Sequence, residues 1–268
     1  MPLPLRSVFL REPLASVASQ FPFTIPVIKT FKSLEFSSAV TIFVGENGSG
    51  KSTLIEGIAC AANLTVVGSE DLGRDRTLKH VRSFADHIRL TWNLRTHRGF
   101  FLRAEDFFGY ARRLAQTRLE LEEDLRQVNE EYKNRPEAID YARLPFQHEL
   151  GGIQQRYGEG LDHASHGEAF LKLFQSRFVP EGLYLLDEPE APLSPIRQLG
   201  LIAALNQMVE QKSQFIIATH SPILMAFPGA VIYSFDNGHI HPVRYDELEH
   251  VILMRDFLNN PQAYLNHL

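Results

Sequence analysis

Apolar spacing divides the chain into stretches of two different periods. Residues 22–45 alternate short apolar runs with turns and close on VTIFV, residues 40–44. That β-branched and aromatic run predicts a buried strand. Glycines follow, and then STLIEGIACAANL, residues 52–64, takes helical spacing. Residues 77–108 mix VRSF, IRLTWNL and GFFLRAEDFF, which predicts strands and short turns of a peripheral lobe. Residues 110–135 are helical and highly charged, with Leu114, Leu121 and Val128 seven residues apart and Leu125 and Tyr132 at the other seam spacing. Arg118 interrupts that seam and Pro136 follows it, so the pattern fits an amphipathic helix packed on its own domain better than a coiled coil.

The second half alternates more regularly. Residues 168–178 predict a helix, and LYLLDEP, residues 183–189, predicts an apolar strand with acids at its end. A helix over 195–212, the strand QFIIATH and the strand VIYSF follow. Asp236-Asn237-Gly238 predicts a hairpin turn into HIHPVRY, and Asp246 with Glu249 resembles a capping box for the last helix. Strands alternating with helices imply an α/β domain with a largely parallel core sheet. One domain is expected over 1–268, with its core from about 22–76 and 180–268, and with 77–179 forming a peripheral β lobe and a helical lobe.

Composition narrows the setting. No run approaches the roughly 18 to 20 apolar residues of a membrane span, so no membrane insertion is expected. The N-terminal stretch MPLPLRSVFLREPLAS lacks the long apolar core of a secretion signal. The single cysteine, Cys60, cannot make an internal disulfide and suits a reducing, cytoplasmic setting, where it reads as a small buried residue. A net charge of −5 argues against wholesale binding to polyanions. Between Arg74 and Arg118, however, eleven Lys/Arg stand against four Asp/Glu. Such asymmetry marks either a surface for nucleic acid or acidic partners, or arginines spread over several faces and paired with the acidic remainder.

The chemistry begins at GENGSGKST, residues 45–53, which satisfies G-x-x-x-x-G-K-[ST] between a predicted strand and a predicted helix. Gly45, Gly48 and Gly50 let the backbone N–H groups from Glu46 through Thr53, Asn47 and Ser49 among them, converge on phosphate oxygens. The helix opening at about Gly50 adds its positive dipole end. Lys51 would reach the β- and γ-phosphates, and the Ser52 hydroxyl would ligate Mg²⁺. This pattern predicts a nucleoside triphosphate site.

LYLLDEPE supplies the carboxylates. Asp187 falls at the carboxyl end of its strand, where α/β sheets place ligand contacts, and would hold Mg²⁺. Glu188 would orient or deprotonate the attacking water. Thirty-three residues after Asp187, His220 ends another apolar strand and could contact the γ-phosphate; a capping or structural histidine is the alternative.

Taken in order, GENGSGKST, YLLDEP and ATHS resemble the Walker A, Walker B and switch-histidine motifs of the ABC-type ATPase superfamily, over about residues 22–240. The resemblance implies ATP and Mg²⁺ as cofactors and a nucleotide-dependent, head-to-tail homodimer. Between the two Walker motifs that superfamily carries a signature loop of the LSGGQ type. ASHGE, residues 164–168, lies there, with His166 in place of the first Gly and Glu168 in place of Gln. The resemblance implies that Ser165 and Gly167 of one copy bind the γ-phosphate held by the other.

DEPEAPLSP, with Ser194 where transporter ATPases commonly carry an aspartate, looks like the soluble SMC/RecF type, an AAA-family predicted ATPase, rather than a transporter subunit. No glutamine stands plainly at the Q-loop, which would fall near RGFFLRAEDFF, and Phe21 or Phe23 is the candidate to stack on adenine. DNA maintenance, repair or defence against foreign DNA is the expected work, with DNA or a protein as candidate partner. Two other readings stay open: the nucleotide-binding subunit of an ABC transporter, and an ATP-switched binding module with little turnover.

Overall fold

The computed structural model describes residues 3–13, 17–67, 79–157 and 166–266. The chain enters through β1 (Leu5–Leu10), α1 (Pro26–Thr30) and β2 (Ser33–Glu35), then runs β3 (Val40–Val44), α2 (Lys51–Ala62), β4 (Thr65–Val66), α3 (Lys79–Ala85) and β5 (Ile88–Trp92). Next come β6 (Gly99–Arg103), the long helices α4 (Ala104–Glu131) and α5 (Pro136–Tyr157), α6 (His166–Arg177) and β7 (Leu183–Asp187). The last third runs α7 (Pro195–Glu210), β8 (Gln214–Ala218), α8 (Pro222–Met225), β9 (Val231–Ser234), β10 (His241–Val243), α9 (Glu249–Asn259) and α10 (Pro261–Leu265).

Among the described residues the main sheet has seven strands in the order β10-β9-β3-β8-β7-β6-β4, parallel except for β10, which pairs antiparallel with β9. Its central strands are apolar on both faces because both faces are covered. Val40, Ile42, Tyr184, Leu186, Phe215 and Ile217 face one core, shared with Phe170 and Phe174 of α6 and Leu201 and Leu205 of α7. Phe43, Leu183, Leu185 and Ile216 face the other, shared with Leu54, Ile55 and Ile58 of α2. This is the expected α/β head with a mainly parallel sheet. The hairpin at Asp236-Asn237-Gly238 also forms as expected.

A second, antiparallel sheet, β2-β1-β5, forms a β lobe that draws two of its three strands from outside the 77–179 expected for it. Its first strand, LRSVFL, escaped sequence reading because only one of its faces is covered. A buried side chain ties the lobe to the core: Gln214 accepts from the Leu5 N–H at 2.7 Å and donates to the Leu5 carbonyl at 3.0 Å.

Three expectations need correction. GFFLR does not belong to the periphery: it is core strand β6, with Phe100 and Leu102 facing one core and Phe101 the other. The helix expected over 110–135 begins at once after β6, at Ala104, and a second helix follows it where none was read. Pro136 is the first residue of that second helix, α5, where a missing N–H costs nothing. The seam residues Leu114, Leu121, Leu125, Val128 and Tyr132 are buried or half-buried, and α4 packs on α5 of its own chain. Finally, α9 opens without a side-chain cap; Glu247 instead accepts from the Arg244 N–H at 3.2 Å, and Asp246 pairs with Arg255 at 3.5 Å.

Candidate functional site

The phosphate loop leaves β3 and opens α2. Gly45, Gly48 and Gly50 take φ of 141°, 80° and 103°, a backbone course that side-chain-bearing residues rarely adopt. At Gly45 space is short as well, since a Cβ would lie 3.0 Å from Asp236 Oδ1. Asp236 braces the loop from β9: its Oδ1 accepts from the Glu46 N–H at 3.0 Å, and its Oδ2 accepts from the Ser234 hydroxyl at 2.8 Å. Glu46, Asn47 and Gly48 are exposed, Ser49 and Thr53 half-buried. The Ser49 hydroxyl oxygen is buried with no hydrogen-bond partner, a polar atom that an anion held by the loop would satisfy.

Lys51 is 5% exposed, and its Nζ donates to the Gly45 carbonyl at 2.6 Å and the Glu46 carbonyl at 2.9 Å. Burial lowers its pKa, partly offset by Glu188, Asp187 and Asp236. A compact cation thus already stands inside the loop.

At the carboxyl edge of the sheet, Ser52 Oγ donates to Asp187 Oδ1 at 3.1 Å. Asp187 is 7% exposed, and burial raises its carboxyl pKa to about 7, with the Ser52 hydrogen bond opposing and Glu56 and Glu188 reinforcing the rise. A buried carboxyl held this high has lost its hydration and gains most from a divalent cation. Among the described residues no cluster of three or more His, Cys, Asp or Glu could hold a metal alone. One hydroxyl and one carboxylate suit Mg²⁺, which keeps waters and takes further oxygens from substrate phosphates.

Glu188 sits at φ 50°, a left-handed conformation that costs a non-glycine residue about 1–2 kcal/mol. Its N–H donates to the Ala218 carbonyl at 2.9 Å, so the backbone turns without leaving the neighbouring strand. The half-exposed carboxylate then lies 3.8 Å from His220 Nε2. Burial and the nearby Lys51 lower the His220 pKa, against the pull of Glu188. Lys51, Ser52, Asp187, Glu188 and His220 therefore converge from three adjacent strand ends. A cavity of about 740 Å³ opens along Gly45, Glu46 and His220 and is lined as well by His250 and Leu253 of α9.

Other expected residues behave differently. Ser165 lies outside the described residues, and His166 and Gly167 fall in the first turn of α6. Phe23 is 4% exposed and packed edge-on against Phe84 and His87, which removes it as an adenine platform; Phe21 is 54% exposed. In the RGFFLRAEDFF stretch, Arg103 stands in register with Asp187 on the adjacent strand and is ion-paired with Glu56 at 3.1 Å. Within the described part of the basic segment, Arg98 pairs with Glu181, Arg103 with Glu56 and Arg118 with Glu122, while Arg89 lies exposed on β5. Burial pushes the half-buried Cys60 thiol up to about 11, which favours the protonated form at neutral pH. No helix among the described residues is long and apolar enough to cross a membrane.

A family model described as an AAA domain matches residues 27–86, from α1 through the phosphate loop to α3. Among solved structures, the Smc head domain with an extended coiled coil bound to the C-terminal domain of ScpA, from Pyrococcus furiosus, is similar at 12% identity and a TM-score of 0.50. The match covers 97% of this chain and 100% of that one. CbiO1 from Clostridium perfringens, part of the ABC transporter complex cbiONQ, is 16% identical with a TM-score of 0.48, covering 99% of this chain and 100% of that one. No curated protein sequence matches significantly. The fold, with its phosphate loop between β3 and α2, is that of a P-loop ATPase head of the ABC/SMC type.

Proposed function

We propose that the chain binds ATP with Mg²⁺ and hydrolyses it between two head-to-tail copies in the cytoplasm. The observation that carries this reading is the convergence of Lys51, Ser52, Asp187, Glu188 and His220 at one sheet edge, from segments up to 169 residues apart in sequence. The loop amides from Gly45 to Thr53 hold the phosphates, and Lys51 shifts from its own loop carbonyls to phosphate oxygens. Ser52 and Asp187 hold Mg²⁺, which neutralises charge on those oxygens when bound. Glu188, turned outward by its left-handed backbone, orients and deprotonates the water. His220 stands beside it, facing the γ-phosphate. Ser165 and Gly167 of the second copy complete the anion site.

The test is steady-state turnover with Mg²⁺·ATP, alongside oligomeric state by light scattering. Glu188→Gln is expected to slow turnover by about 10²–10⁴, the usual worth of a general base, and to accumulate an ATP-bound dimer. Turnover that survives Lys51→Ala sinks the reading. Dimerisation on ATP with no turnover favours the ATP-switched binding module.

A DNA transaction is the second reading, favoured by the helical pair α4–α5, which continues directly from the strand beside Asp187. A shift at the site is thereby coupled to a lever about 40 Å long, at 1.5 Å per residue. The Smc head of Pyrococcus furiosus likewise carries an extended coiled coil. ATP-dependent DNA binding that weakens steeply with salt supports this reading, since phosphate contacts release counterions. Salt-insensitive or absent binding returns the choice to a protein partner, a transporter's membrane subunit included.

A further inference from the structure

Glu190 stands three residues beyond Asp187, and nothing in the proposed chemistry uses it. Its Oε1 accepts a hydrogen bond from the His220 backbone N–H at 2.7 Å. Its Oε2 is buried with no hydrogen-bond partner. Burial pushes the carboxyl's pKa up, partly offset by the His220 N–H, its own backbone N–H and the Thr219 hydroxyl. Burying a carboxyl with one oxygen unsatisfied costs stability. An amide in an exposed loop such as that of His220 would find water without that cost. Stability is therefore a poor reason for the group to be there, and position is a good one.

The clasp fixes the backbone of His220 where its imidazole Nε2 lies 3.8 Å from Glu188 Oε1. A second link runs beside it. Gln198 on α7 accepts from the Ser221 hydroxyl and donates to the Leu193 carbonyl at 3.2 Å, while Ser221 accepts from the N–H groups of Ile223 and Leu224. The turn after β7 is thus bonded twice to the loop after β8, and it is Glu190 that grips the histidine's own backbone N–H.

We infer that Glu190 is a positioning residue, which registers the His220 imidazole against the Glu188 carboxylate so that movement of either strand end is passed to the other. This rests on the hydrolytic reading of the site. The experiment compares wild type, Glu190→Ala, Glu190→Gln and Lys51→Ala for kcat, KM, binding of trinitrophenyl-ATP and thermal stability. Side-chain resonances of His220 are followed by NMR in the nucleotide-free protein.

Displacing a group at the reacting centre is expected to lower kcat about tenfold in Glu190→Ala, with KM and nucleotide affinity within about twofold of wild type. The Gln variant, which keeps an acceptor for the His220 N–H, restores most of the turnover. An alanine variant with wild-type kcat overturns the inference. So does one that loses nucleotide affinity in step with kcat, or melts early and is not rescued by Gln, because a merely structural role predicts those results. If wild type shows no Lys51-dependent turnover, the hydrolytic reading fails by itself. The NMR arm then decides: unmoved His220 ring resonances in Glu190→Ala overturn the positioning role, and displaced ones uphold it.

Discussion

Ser52 and Asp187, 135 residues apart in sequence, meet through a 3.1 Å hydrogen bond at the point where α2 begins and β7 ends. The pair sets a pH dependence whose sign can be worked out. Burial raises the Asp187 carboxyl from its ordinary 3.8 to about 7. Between those values the folded chain keeps a proton that the unfolded chain has released. The stability this group contributes is therefore fully present below about pH 4 and is lost as pH rises through about 7. In metal-free protein, Asp187→Asn should flatten the fall in melting temperature between pH 5 and 8. It should stand a few degrees above wild type at the alkaline end, at roughly 2–4 °C per kcal/mol. Mg²⁺-dependent turnover should be lost in the same variant. A melting temperature with the wild-type pH slope in Asp187→Asn would assign the dependence elsewhere.

Lys51 yields a prediction about geometry rather than charge. Its ammonium lies 2.6 and 2.9 Å from two loop carbonyls, in a space 5% exposed. A guanidinium is planar and forked and cannot occupy that point. Lys51→Arg is expected to lose nucleotide binding nearly as fully as Lys51→Ala, with turnover down by at least about 10² in both, as for other removed transition-state contacts. Isothermal titration with ATP and with ATP–Mg²⁺ checks it. Arginine rescue would mean that charge alone matters.

Gly99 opens the strand beside Asp187 and has no room for a side chain. Its φ is 119°, and a Cβ there would fall 1.8 Å from the Leu183 carbonyl oxygen. Backbone must move to accommodate Gly99→Ala, which is expected to cost about 2–5 kcal/mol, the range of severe backbone and packing defects. Gly151→Ala is the control: a Cβ at Gly151 meets nothing within 4 Å, and within a helix it should be neutral or mildly stabilising. Urea midpoints of the two variants separate the cases.

The legible parts of the fold are those whose burial is local. VTIFV, LYLLD and QFIIA read as strands because both of their faces are apolar, and those strands form the middle of the sheet. LRSVFL was missed because half of it faces outward and its anchor is Gln214, 209 residues away. α5 was missed because Pro145, Gly151 and Gly152 weaken its helical pattern, which packing on α4 restores. The site divides in the same way. GENGSGKST and LLDE are contiguous, and spacing alone located them. Glu190, Asp236 and Gln198 grip a backbone N–H or a hydroxyl 30, 190 and 23 residues distant, contacts that leave no pattern along the chain.

Glu56 and Arg103 give the last prediction. Their ion pair, 3.1 Å long with side chains 14% and 11% exposed, ties the helix that carries the phosphate loop to the strand in register with Asp187. Two effects compete on removing the carboxylate. The fold loses a carboxylate that helps compensate a nearly buried guanidinium, and breaking such pairs costs up to about 3–5 kcal/mol. Asp187 loses a neighbouring negative charge that helps keep its pKa high, which favours its ionised form. The first effect is the larger for stability, so Glu56→Gln should unfold at markedly lower urea. The second should lower the pH at which Asp187 ionises. Replacing both partners, Glu56→Leu with Arg103→Met, should recover much of the stability, because neither charge then remains to be compensated. A double-mutant cycle on urea midpoints measures the coupling, and additive single and double costs would show that the two side chains act independently.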